Sequence, residues 1–298
     1  MRTHLRSAAA LAAVVLLTGC QSLRADEPPA EPGTSGDPGA PADPGTPADP
    51  GAPLLQIEVS GGFVPMGWDF SNVPQVTVYD DGRAIVHGPQ ILIYPGPALP
   101  NLQVGAADTE AILGAAYDAG LLSEQPDYGQ PPIADAPTTF VTITVDGQTY
   151  RHAANALDIV EDGGMSAADL GLTEDQLAAR NTLAGFVAEA QGLISDGESY
   201  EITGFGMFAW PAAEAGDQEE IEPQVLPWPL DQALADATEC TTITGTDAVT
   251  LLETLAGANQ LTQFEQDGVT YEVHFRALLP HEAGCDDLGG AARLDPRG

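Results

Sequence analysis

The sequence predicts an α+β fold: antiparallel hairpins packed against about three helices. Two observations carry that expectation. Five Asp-Gly pairs (Asp81-Gly82, Asp146-Gly147, Asp162-Gly163, Asp196-Gly197 and Asp267-Gly268) punctuate the chain after Pro53. Asp-Gly between alternating apolar runs signals a hairpin, because both turn positions must tolerate positive φ. Between the hairpins stand three segments with helical apolar spacing and recognisable caps.

The strands come first. "QVTVYDDGRAIVHG" (75–88), "TFVTITVDGQTYRHA" (139–153) and "TQFEQDGVTYEVHFRAL" (262–278) each place Asp-Gly between alternating runs. The other two pairs fit loops. Among the helices, Asp108 can cap "TEAILGAAYDA", with Ile112, Ala115, Ala116 and Ala119 on one face and Gly120 beyond the end. "TEDQLAARNTLAGFVAEAQGLI" opens with the capping-box pair Thr173 and Gln176 and aligns Leu183, Phe186, Val187, Ala190 and Ile194. Thr246 can cap "DAVTLLETLA", which stops at Gly257. Stripes at this spacing face a core, so no binding role is assigned to them.

Helix then hairpin occurs twice, "DTEAILGAAYDAGLL" before "TVDGQTYRH" and "TDAVTLLETLAGANQL" before "EQDGVTYEV", with Thr-Tyr at the same offset after each turn. Two related halves would produce this, and so would convergent hairpin chemistry. The acidic stretch "AEAGDQEEIEPQ" makes residues 212–223 the best candidate sub-boundary.

The N-terminus predicts where the protein resides. Arg2 and Arg6 precede the apolar run "SAAALAAVVLL", which is too short for a membrane span of about 20 residues and reads as a targeting signal. It ends in "LTGC", Leu17 to Cys20, which resembles the lipobox of bacterial lipoprotein precursors. The resemblance implies cleavage after Gly19 and a lipidated Cys20 as the first mature residue, so residues 1–19 are expected to be a lipoprotein signal peptide. A second acyl chain makes such anchoring stable.

Residues 20–53 then form the lipidated cysteine and a spacer. "DEPPAEPGTSGDPGAPADPGTPADPGAP" has no aromatic and no cation and cannot bury enough surface to offset ordering. An extended chain of this composition reaches on the order of 90 Å at about 3.1 Å per residue. Residues 54–298 are the expected globular body. Cys240 and Cys285 remain once Cys20 is lipidated, and an oxidising compartment predicts a disulfide between them.

The formal charge is −35, and every basic side chain other than histidine is arginine. Nucleic acid is therefore excluded as a partner, since binding needs cations to replace phosphate counterions. A globule lying flat on anionic lipid is disfavoured for the same reason. Membrane contact is expected only through the lipid on Cys20, leaving an envelope protein or cell-wall component as partner.

Catalytic and cofactor signatures are missing. No H-E-x-x-H, G-x-S-x-G, phosphate loop or dinucleotide fingerprint occurs, so no catalytic, cofactor-binding or metal residue is assigned. His87, His152 and His274 fall in predicted strands, and His281 follows them. "DIVEDGGMSAAD" (158–169) places Asp158, Asp162, Gly163 and Asp169 on calcium-loop positions, but Val160 occupies one that needs an oxygen; a solvated acidic turn is the expectation. Trp68, Trp210 and Trp228 could line a groove, although large aromatics beside proline usually wedge into a core edge.

"GGF", "VYDDGR", "YPGPALPN", "ADAPTT" and "RALLPHEAGC" together resemble an actinobacterial lipoprotein family of uncharacterised activity, over most of residues 55–285. The resemblance implies one folded unit and no catalytic residue. The expected function is a non-enzymatic binding or adapter module of the cell envelope. The alternative is an envelope hydrolase whose histidines and carboxylates converge only in the fold.

Overall fold

Strand β1 (Pro53–Ser60) is an inner strand of the first of two sheets. The computed structural model describes residues 51–288 except Met66, 90–93, 159–165 and 213–220. Cys20, the expected signal peptide and spacer (through residue 50), and most of the calcium-like stretch therefore lie outside the described residues.

β1 pairs with β2 (Val76–Tyr79) on one side and β5 (Thr138–Val145) on the other. Outward from these run β3 (Arg83–His87), β4 (Leu102–Ala106) and β7 (Glu198–Ser199) in one direction and β6 (Gln148–Asn155) in the other. The sheet order is β6-β5-β1-β2-β3-β4-β7, and all its pairs are antiparallel.

Period-2 alternation gives each face of this sheet its own apolar set, and the face with the larger set turns to the helices. Leu55, Ile57, Val78, Ala84, Val141 and Ile143 line it, and helices α2 (Thr109–Asp118) and α3 (Glu174–Gly192) cover it with Ile112, Ala116, Leu183, Phe186 and Ala190. Removing a leucine- or phenylalanine-sized side chain from water contributes about 1.5–3 kcal/mol, and among the described residues this layer holds the largest cluster of buried apolar side chains.

The second sheet has the order β10-β8-β12-β11-β9. It comprises β8 (Gly204–Pro211), β9 (Val225–Pro227), β10 (Thr241–Thr244), β11 (Gln263–Gln266) and β12 (Val269–Ala277), antiparallel except where β9 joins β11. Phe205, Met207, Ala209, Phe264 and Phe275 face helix α4 (Gly245–Leu255), which contributes Ala248, Leu251 and Leu255. The opposite face packs Phe208 against Phe70 of the short helix α1 (Trp68–Ser71) and against Leu278 and Leu288. Both sheets fall within one compact unit.

The local chemistry follows the turn and cap rules. Asp146 and Gly147 both take positive φ (52° and 75°), as do Asp267 and Gly268 (56° and 81°), giving two-residue hairpins. The Asp108 carboxylate accepts from Ala111 N at 3.0 Å. Beyond α2, Gly120 N donates to Tyr117 O and Leu121 N to Ala116 O, a Schellman closure. The Thr173–Gln176 capping box is complete in both directions.

One finding departs from the expectations, and two bear on how the chain is divided. Thr244, not Thr246, is the N-cap of α4, and its side chain makes no capping bond. Gly245 in left-handed conformation (φ 63°) starts the helix early, which draws Thr246 inside. The chain changes sheets between Ser199 and Gly204, whereas the acidic stretch near 212–223 joins β8 to β9 within the second sheet. Finally, the two helix-hairpin units enter their sheets differently. β5, the first strand of its hairpin, is the inner one, whereas β12, the second strand, is inner in the other.

Candidate functional site

The histidines were the residues from which catalytic chemistry could have been built, and each has a structural partner. His152 is fully buried; Nδ1 pairs with the Tyr128 hydroxyl at 2.9 Å and Nε2 with Leu121 O at 2.8 Å. Burial pushes the Tyr128 hydroxyl up to about 12, so it stays protonated. His87 Nε2 lies 3.1 Å from Val73 O, and burial lowers its pKa. His274 stacks on Trp210 with ring centroids 4.6 Å apart, and desolvation pushes it down to about 4. These contacts run to carbonyls, a buried hydroxyl and an indole face.

His281 has the most elaborate surroundings. Its Nδ1 is 2.9 Å from the Tyr79 hydroxyl, and its Nε2 is 4.0 Å from Glu282 Oε1. Glu282 Oε1 in turn accepts from Arg276 at 3.0 Å, and its other oxygen accepts from Leu279 N at 2.7 Å. Arg276 also donates to Ala277 O. Hydroxyl, imidazole and carboxylate thus follow one another as in acid–base catalysis, but their states oppose that use. Tyr79 is wholly buried, with its pKa raised well above the ordinary value by desolvation. His281 is held down to about 4 by desolvation and by the Arg276 charge, hence neutral. The chain of groups joins β2 of the first sheet to the segment leaving β12, beside the apolar cluster of Val73, Ile85, Leu102 and Leu279.

Cys240 and Cys285 form a disulfide with Cα atoms 5.8 Å apart, and Cys285 N donates to Thr242 Oγ1. A shallow open depression lies beside them, lined by Thr242, Gly284, Asp286 and Asp287. Among the described residues no group of three or more His, Cys, Asp or Glu side chains could hold a metal ion. At the end of the calcium-like stretch, Asp169 accepts from both the amide and the hydroxyl of Ser166, at 3.1 and 2.6 Å, as the closing residue of a turn.

The tryptophans do not share a groove. Trp228 is buried with Phe264 and Phe275 on one face of the second sheet, while Trp210 lies on the other, bonded to Glu272. Trp68 is 49 % exposed and belongs to the feature that the sequence reading missed. Between β1 and α1, in the stretch "GGFVPMGW" (61–68), the apolar side chains of Phe63, Val64, Pro65 and Trp68 face outward. Phe63 is 90 % exposed, Val64 36 %, and Pro65 is exposed as well. Isolated apolar residues at a surface are ordinary, but a contiguous exposed set marks an interaction site.

This loop is fixed at both ends. Gly61 N donates to Asp69 Oδ1 at 3.0 Å, Phe63 N to Asp135 O at 3.1 Å, and Asn72 Nδ2 to Val59 O at 2.7 Å. Trp68 N closes a turn onto Pro65 O. Gly67 (φ 77°) sits so close to the His274 ring that a Cβ there would lie 2.3 Å from it. One turn on, Phe70 drives edge-on into Phe208, with ring centroids 4.4 Å apart. Side chains that could have been buried are instead held out by backbone anchors. The only signal in the sequence was an apolar run bounded by glycines with neither strand nor helix period.

No family model, curated protein or solved structure matches this chain.

Proposed function

We propose that the chain is an extracytoplasmic lipoprotein, tethered by lipid on Cys20, whose body is a non-enzymatic binding or adapter module for an envelope partner. The observation that carries the binding role is the loop 61–68: Phe63, Val64 and Trp68 exposed together on a backbone pinned by Asp69, Asp135 and Asn72. Preorganised aromatic side chains are the usual anchors of protein interfaces. The lipobox-like "LTGC" supports the tether. Among the described residues no helix is long and apolar enough to cross a membrane.

The missing lysines make a direct test available. Carbodiimide couples carboxylates to lysine amines, and this chain has 44 acidic residues and no lysine. Side-chain amides formed on intact cells must therefore join it to another molecule. The expected result is a recurring covalent partner, with the protein in the membrane fraction and Cys20→Ala released from it. Absence of any coupled partner would remove the binding role. Undiminished membrane retention of Cys20→Ala would remove the tether.

A further inference from the structure

We infer that the loop 61–68 inserts into an apolar pocket bordered by Arg or Lys side chains on a partner protein. The inference rests on the binding-module reading and specifies the chemistry of what is bound. Two properties of the loop carry it, the apolar tip and the acidic rim.

The tip presents Phe63, Val64 and Trp68 without cost in loop ordering, because the hydrogen bonds at Gly61, Phe63 and Asn72 already fix the backbone. The rim is Asp69 and Asp135; the neighbouring Glu58 feels Asp69 too, but Arg276 and Arg151 act on it more strongly. Among the described residues no arginine forms a salt bridge with Asp69 or Asp135. Of the four arginines among the described residues, Arg180 and Arg276 are buried, Arg83 pairs with Asp81, and Arg151 lies over the Phe140 ring.

Charge then separates the occupants. A second copy of the chain brings another −35, and residues 26–53 bring only more acid and no aromatic; like charges facing one another oppose both. Anionic lipid headgroups are repelled in the same way. β1 also begins at Pro53, at its opposite end from the loop. Eight strand residues place about 26 Å between the two. An apolar pocket with a cationic border satisfies the tip and the rim together.

The test is Phe63→p-benzoylphenylalanine in the full-length protein, irradiated in intact cells, with the adduct mapped by mass spectrometry. The expected result is one protein adduct whose crosslinked peptide is apolar and flanked by Arg or Lys. Its yield should fall at least tenfold with Trp68→Ala. It should fall several-fold with Asp135→Asn, which keeps the backbone carbonyl that holds Phe63 and tolerates its left-handed φ of 55°. Adducts to lipid, to a second copy or to an acidic peptide would overturn the inference. So would a yield no higher than that of Tyr117→p-benzoylphenylalanine, a control position 74 % exposed on α2. If carbodiimide still couples a partner while position 63 gives no adduct, the loop inference fails and the binding-module reading stands; if both fail, both are wrong.

Discussion

Tyr79 and His281, 202 residues apart in sequence, share a 2.9 Å hydrogen bond that ties the first sheet to the segment leaving the second. Tyr79 is completely buried, so its hydroxyl has no solvent to turn to. Tyr79→Phe leaves His281 Nδ1 without that partner and should cost about 1–2 kcal/mol in urea unfolding. A change below about 0.3 kcal/mol would mean the bond contributes nothing to the union of the sheets.

The same histidine gives a pH dependence with a definite sign. Its folded pKa of about 4 lies below the ordinary 6.5, so the unfolded chain binds the proton more tightly. The stability associated with neutral His281 is complete above pH 6.5 and is lost as pH falls from 6.5 toward 4. Glu58 and Glu282, raised by desolvation, act in the opposite sense above their ordinary 4.5. The difference between wild type and His281→Gln therefore isolates the effect better than either curve alone. The wild-type advantage should shrink across that window by on the order of 3 kcal/mol or less. A constant difference would show that His281 titrates normally.

Arg276 and Glu282 are a buried pair whose desolvation outweighs their attraction. The Glu282 carboxyl is raised, with burial the larger cause and Arg276 opposing it, and Arg276 is lowered by burial. Such pairs are costly to break and inexpensive to replace whole. Arg276→Met alone should destabilise by about 3–5 kcal/mol, leaving Glu282 charged and buried. Arg276→Met/Glu282→Gln should recover most of that loss, since Gln can still accept from Leu279 N. Equal destabilisation by the single and double variants would refute the desolvation account.

Why some of this was legible and some was not follows from distance along the chain. Asp146-Gly147 and Asp267-Gly268 specify their hairpins locally, because positive φ is a property of the turn residues themselves. The Asp108 and Thr173 caps are equally local, and the Cys240–Cys285 pairing was legible from the expected compartment and the cysteine count. By contrast, nothing near Arg180 announces that it lies on the buried stripe of α3, donating to Tyr128 O and Asn155 O. Likewise Tyr79 and His281 meet only because the segment after β12 crosses onto the other sheet. The loop 61–68 was opaque for another reason. Whether an apolar run is buried or displayed depends on what stands over it, and here Asp69 and Asp135 hold it away from the core.

The disulfide closes a loop across 45 residues, which on the chain-entropy model contributes about 4 kcal/mol. Cys240→Ser/Cys285→Ser should lower stability by roughly that amount in urea unfolding. A loss under about 1 kcal/mol would mean that the reduced chain stays equally constrained through contacts such as Cys285 N to Thr242.

The binding role itself is tested most directly by partner yield. Phe63→Ser/Val64→Ser alters two exposed side chains and leaves the anchors at Asp69, Asp135 and Asn72 in place. Carbodiimide coupling on intact cells should then recover the partner at a tenth of the wild-type yield or less, with the melting temperature unchanged. Wild-type yield from that variant would contradict the account.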